Sequence, residues 1–185
     1  MEKVDRAKPE TDEVSLVTIC DGPGNYPMTI IGPFTRLGAL IAILVFAADQ
    51  LSKYWILRII NLDERDPIQI TPFMDLAMAW NRGVSYGLLS TNTQVLLIIL
   101  SLVISFFIVL WLAKTTHPMA AAAFGLILGG AIGNALDRAI HGAVADFVHL
   151  HWGTWSWYVF NVADIAIVAG VALLIYDNLF LGPKA

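Results

Sequence analysis

The chain has 185 residues, 57% of them hydrophobic and 14% charged, with a formal net charge of −4 and a mean hydropathy of +0.69. Soluble domains average about 45–50% apolar and about 25% charged residues, so this composition belongs to one membrane domain rather than to two soluble ones. The negative balance and the lack of a basic stripe argue against a nucleic-acid partner, and a single cysteine, Cys20, excludes an intrachain disulfide.

Residues 1–32 are polar and acidic in patches, with Pro9, Pro23 and Pro27 and little to bury. They read as a flexible cytoplasmic extension, followed by one four-helix membrane domain over 33–185. No charged-then-apolar signal segment of adequate length precedes Cys20, which is read as a plain unpaired cysteine rather than a lipidation site. The first apolar span runs from about Leu37 to Leu57. The second, Gln94 to Ala113, holds no charged residue, and its length matches a hydrocarbon core of about 30 Å. The third runs from about Met119 to Ile140 and the fourth from about Phe160 to Phe180.

Four spans put both termini on one side. Arg36 and Lys114, beside their spans, place that side in the cytoplasm. Between spans one and two, Ile68–Ile70 and Phe73–Trp80 read in part as alternating strands punctuated by Pro67 and Pro72, which predicts a small β-sheet on the outer membrane surface. Trp152, Trp155, Trp157 and Tyr158 in the last loop suit an interfacial aromatic belt. Gly125, Gly129 and Gly133, each four apart, allow close helix packing on the third span.

Charged and amide groups collect at the span ends, where burial is costly and unpaired charge is rarely kept. Asp49 and Lys53 share a helix face and are able to pair; this reads as self-neutralisation or as substrate positioning. Asn134, Asp137 and Arg138 project near the end of span three, and Asp137 and Arg138 point about 100° apart, so they need not pair with each other. Their favoured role is bracing. Asp146 lies in an extended pattern, Val144–Val148, and Asp164 follows Asn161 by three at the start of span four. The plain reading of the latter pair is an N-cap and a first-turn acid. The chemical reading is that Asp146 and Asp164 meet, cannot both ionise, and share a proton, an arrangement that activates water against an amide carbonyl. Other nucleophiles are poorly represented. There is no Gly-x-Ser-x-Gly elbow, no His-Glu-x-x-His and no glycine-rich phosphate loop, and His149 and His151 make at most a possible ligand pair on a strand.

In order along the chain stand Asp49-Gln-Leu-Ser-Lys53, Asn81-Arg-Gly83, Gly133-Asn134-Ala-Leu-Asp137-Arg138, Val144-Ala-Asp146-Phe147 and Phe160-Asn161-Val-Ala-Asp164. Together they resemble the lipoprotein signal peptidases, or signal peptidase II, bacterial membrane aspartic peptidases, over about residues 36–182. The resemblance implies a mainly α integral membrane protein with four transmembrane helices and an extracytoplasmic β-cradle between helices 1 and 2. It implies catalytic roles for Asp146 and Asp164, and supporting or substrate-binding roles for Asp49, Lys53, Asn81, Gly83, Asn134, Asp137, Arg138 and Asn161. The implied reaction removes the signal peptide of a diacylglyceryl-modified prolipoprotein, cutting just N-terminal to the lipidated cysteine, with no metal and no cofactor. The implied surroundings are the lipid of the bacterial cytoplasmic (inner) membrane, globomycin-type inhibitors and no obligate protein partner. Val84-Ser85-Tyr86, Ala145 and Ile165 depart from residues common in the family, at positions that bear on substrate-lipid fit and inhibitor contacts. Two other classes compete: a proton-coupled carrier, in which membrane acids relay protons, and a structural subunit that uses its acids for helix pairing. Polar groups at one membrane face and the lack of repeated halves count against the carrier.

Overall fold

A computed structural model describes residues 18–19, 28–29, 31–83 and 92–181. Within the expected extension, strands β1 (Thr18–Ile19) and β2 (Met28–Thr29) form a short antiparallel pair. Most of that extension, Cys20 and residues 84–91 lie outside the described residues. Helix α1 (Thr35–Tyr54) continues as a wider turn over Trp55–Ile60, which closes at Asn61 in the left-handed region, φ 53°. Asn tolerates that conformation better than most residues. Helices α2 (Asn92–Leu112), α3 (Pro118–His141) and α4 (Val162–Tyr176) complete the bundle. All four helical segments are long and apolar enough to span a bilayer. The first carries its span past the expected Leu57 because its polar turn is buried rather than exposed: Asp49 and Lys53 sit inside the bundle.

Helix α3 is the central element. It is mostly buried, whereas the other three turn most of their surface outward. Leu40 and Ile43 of α1, Val95, Leu96 and Ile99 of α2, and Val168 and Ile175 of α4 are exposed. In a membrane protein this apolar exterior meets lipid, so it carries no solvation penalty. The glycine row of α3 does the close packing expected of it. A Cβ at Gly129 would stand 2.5 Å from the Ala42 carbonyl of α1, and one at Gly130 would stand 2.5 Å from the Ala163 carbonyl of α4. Pro118 starts α3 at a position where its missing N–H costs nothing. Gly142 stops the helix at φ 67°, its N–H donating to the Arg138 carbonyl at 3.0 Å.

The expected sheet is present and larger than the loop between helices 1 and 2 supplies by itself. Strands β3 (Ile68–Thr71) and β4 (Met74–Asn81) come from that loop. Strands β5 (Val144–Trp152) and β6 (Trp155–Ser156) come from the loop between helices 3 and 4. The antiparallel order is β3-β4-β5-β6. A two-stranded hairpin is marginal in isolation, and pairing β4 with β5 gives both a full ladder. The register changes between Leu76, opposite Val148, and Ala79, opposite Asp146. This bulge adds one residue to β4 and re-aims the side chains beside Asp146. Beneath the sheet Ile56, Leu62 and Phe147 form a buried cluster flanked by Leu76, Met78, Val148 and Val162. Trp152, Trp155, Trp157 and Tyr158 remain exposed, Trp152 stacking on Phe73.

Candidate active site

The site forms where α1 and α3 end, α4 begins and β5 leaves the bundle. Phe160, expected as the first residue of span four, instead pairs with β5. Its carbonyl accepts from Phe147 N at 3.1 Å and Val148 N at 2.8 Å, and its N–H donates to the Val148 carbonyl at 3.0 Å. These bonds tie the entry of α4 to the strand that carries Asp146. One residue later Asn161 caps α4: its Oδ1 accepts from Asp164 N at 2.9 Å, while Asp164 Oδ2 accepts from Asn161 N at 3.4 Å. The capping role and the gathering of Asn161, Asp164 and Asp146 are therefore one arrangement. Capping leaves the Asn161 amide nitrogen free to reach Asp146 Oδ1, at 2.6 Å.

Behind these residues lies a buried ion cluster. Lys53 Nζ is 2.7 Å from Asp49 Oδ2 and 2.8 Å from Asp137 Oδ2, and donates to Asn134 Oδ1 at 3.3 Å. Asp49, with no exposed surface, also accepts from Ala163 N at 3.0 Å, across 114 residues of sequence. Asp137 accepts from Ala145 N at 3.2 Å. Gln50 donates to Asp49 Oδ2 at 3.1 Å and to Asp137 Oδ1 at 3.2 Å. Two buried carboxylates thus have an ammonium, an amide and two backbone N–H groups between them, which offsets the cost of leaving water. Each Asp thereby also fixes a backbone position, Asp137 next to Asp146 and Asp49 next to Asp164.

Asn134 connects this cluster to the outer carboxylates, donating to Asp164 Oδ1 at 2.8 Å. Asp146 is 2% exposed, and its pKa is pushed up to about 6. Burial is the larger cause and the charge of Asp164 the next, opposed by hydrogen bonds from Asn81 and Asn161 and by the Lys53 charge. Asp146 and Asp164 therefore act on one another electrostatically, each with an amide on its Oδ1.

Nine of the ten residues singled out in the sequence stand in or around this site, and Gly83 reaches it only through Asn81. Arg138 donates to the Asn134 carbonyl at 3.3 Å, and its Nε is buried with no hydrogen-bond partner among the described residues. Asp137 bonds to Lys53, Gln50 and Ala145 rather than to Arg138, as their divergent directions require. Asn81 hydrogen-bonds Asp146 and accepts from the N–H of Gly83, whose φ of 79° favours glycine. His149 and His151 lie away from this site, on one face of β5 with Asp75. His151 Nε2 is 3.0 Å from Asp75 Oδ2, and His149 shares a 2.7 Å contact with the Ser156 hydroxyl. Gln50 was not among the singled-out residues. Its signal was present, an amide next to Asp49 in an apolar span. The Ala145 and Ala163 N–H groups carry no side-chain signal at all.

The family model for signal peptidase (SPase) II matches residues 41–180, which covers every one of these groups. A lipoprotein signal peptidase of Methylocella silvestris is 53% identical over 147 residues, 78% of this chain and 86% of that protein. One from Methylorubrum extorquens is 48% identical, covering 81% and 90%. Two solved bacterial membrane enzymes superpose with TM-scores of 0.70 and 0.67 at 29% and 27% identity, each covered over 95% of its length. A catalytic family of this kind displaces the carrier and helix-pairing subunit readings. With four spanning helices, a sheet at one end of the bundle and a buried cluster of carboxylates, the chain belongs to the signal peptidase II family and is an aspartic peptidase of the bacterial membrane.

Proposed function

We propose that this peptidase removes signal peptides from diacylglyceryl-modified prolipoproteins and cuts N-terminal to the lipidated cysteine, with Asp146 and Asp164 as its catalytic pair. Family membership supports the removal of signal peptides from prolipoproteins. The observation that carries the catalytic assignment is the placement of two carboxylates, from β5 and α4, at one end of the bundle and joined through Asn161, whose amide nitrogen donates to Asp146 Oδ1 while its oxygen accepts from Asp164 N.

In this reading the pair holds one proton. The ionised carboxylate takes a proton from water as the water oxygen bonds to the scissile carbonyl carbon, and the protonated carboxyl gives its proton to the carbonyl oxygen. Collapse of the tetrahedral species transfers a proton to the leaving nitrogen. It releases the signal peptide as a carboxylate and the lipidated cysteine as a free amine. Asn81, exposed at the end of β4, offers a polar contact for the substrate backbone. The diacylglyceryl chains remain among membrane lipid against the apolar exterior. No metal or cofactor has a step, and no protein partner is needed.

With both termini cytoplasmic, the ends of α1 and α3 and the start of α4 coincide at the outer surface, where the substrate cysteine lies. The same geometry gives globomycin-type peptides a route to the pair. Residues 1–32 then form a cytoplasmic extension ahead of the membrane domain.

The test is cleavage of a lipid-modified prolipoprotein by purified protein, comparing wild type with Asp146→Asn and Asp164→Asn. Each variant is expected to lose about 10²–10⁴-fold in kcat with the substrate still bound. Cleavage that survives in either folded variant would overturn the assignment.

A further inference from the structure

Two asparagine amides touch the aspartates, and the groups around them decide which end of each amide faces the pair. An ammonium carries three donors and no acceptor. Lys53 directs its three at Asp49 Oδ2, Asp137 Oδ2 and Asn134 Oδ1. Asn134 must therefore turn its oxygen to Lys53 and its nitrogen to Asp164 Oδ1. The Asp164 backbone N–H, also a donor alone, claims Asn161 Oδ1 and turns the Asn161 nitrogen to Asp146 Oδ1. That nitrogen also reaches Asn134 Oδ1 at 3.2 Å. Reversing Asn134 would put its nitrogen against two donors and its oxygen against a carboxylate.

We propose that Lys53 is a positioning residue for the peptidase reaction: by holding Asn134 Oδ1 it fixes Asn134 as a donor to Asp164. The inference rests on Asp146 and Asp164 being the catalytic pair. Both Oδ1 atoms accept an amide N–H, which favours the ionised form of each carboxyl. The charged groups that face the pair are Asp49 and Lys53 on α1 and Asp137 and Arg138 on α3. Asp146 and Asp164 complete the set on β5 and α4. Without Lys53, Asn134 is free to rotate, and a positive charge that opposes the rise of Asp146 is gone.

The experiment is the pH profile of kcat/KM for wild type, Lys53→Met, Asn134→Ala and the double variant, in detergent with lipid-modified prolipoprotein. Lys53→Met is expected to move the acid limb up by about one pH unit and to lower kcat about tenfold with KM within about twofold, the signature of a lost transition-state interaction. Asn134→Ala is expected to do the same, and the double variant no more than either single. An unmoved limb in Lys53→Met, or limb shifts that add in the double variant, would overturn the proposal. Lys53→Met leaves two buried carboxylates unpaired, so Lys53→Met/Asp137→Asn, which removes one charge of each sign, is measured against Asp137→Asn alone; the same upward shift is expected there, and its lack overturns the proposal equally. Asp146→Asn and Asp164→Asn belong in the same assay. Cleavage by either defeats the catalytic pair itself, whereas two inactive Asn variants beside an unmoved Lys53→Met limb defeat the role of Lys53 alone.

Discussion

At Asp146 the proposed catalytic role and stability pull in opposite directions. Its carboxyl is buried at 2% exposure and held at about 6, above the ordinary value of 3.8. An acid whose folded pKa is raised contributes stability while protonated, below about pH 4, and loses it as pH climbs through 6. Asp146→Asn removes the ionisation and keeps an oxygen for the Asn161 amide. The variant is expected to be more stable than wild type at pH 8 by about 1–3 kcal/mol, with the gain shrinking to nothing near pH 4. Thermal unfolding across that range checks it; a gain independent of pH would mean that burial of charge is not its source. In the proposed mechanism that strain has a use, because an acid near pH 6 is poised to exchange a proton at neutral pH. The polar groups that gather around Asp146 and Asp164 were legible in the sequence because ionisable and amide groups at span ends are costly unless paired. Their partners were less so. Gln50 looks like any polar residue beside Asp49 until the fold brings Asp137 to it.

Among elements, α3 sets the geometry of everything around it. Gly133 lies against Asp49, and a Cβ there would stand 2.5 Å from Asp49 Oδ2. Gly133→Ala must move Asp49 or part the helices, so a loss of about 1–3 kcal/mol in stability is expected, together with a drop in cleavage, because Asp49 holds the N–H of Ala163 one residue before Asp164. Gly142 gives the contrast. Nothing lies within 4 Å of its Cβ position, but its φ of 67° disfavours any side chain. Gly142→Ala is expected to cost about 1–2 kcal/mol through the backbone alone with kcat retained. Melting and cleavage measured on both variants separate crowding from backbone strain. The helices were readable to within a few residues because a bilayer imposes length and apolarity. Strand β5 was harder to place. Val144–Val148 showed as an extended pattern, but its pairing with β4 depends on a bulge and on Phe160, neither of which has a local signature.

For the whole molecule the asymmetry is vertical: polar groups gather at one end of an otherwise apolar bundle. The proposed topology puts that end outside. Single cysteines at Thr154 in the β5–β6 turn and at Thr115 between α2 and α3, in a background where Cys20 is replaced, are expected to be labelled by a membrane-impermeant thiol reagent on opposite sides of the membrane, Thr154 outside and Thr115 inside. The reverse pattern would place the pair in the cytoplasm and overturn the proposed access of the substrate.

Membrane residence, the four spans, a sheet in the loop between spans one and two and a set of polar residues at the span ends were all determined by the sequence itself. These are set by local quantities: hydropathy over a span, alternation over a strand, and the cost of charge at a membrane edge. Tertiary structure decided the rest. It joined two loops into one sheet, placed an ammonium from α1 against an amide from α3, and tied the start of α4 to β5. Bonds across 81 and 114 residues, from Lys53 to Asn134 and from Ala163 to Asp49, orient the groups around the two aspartates. No periodicity encodes them, because they exist only once the small residues of α3 let three helices close to contact distance.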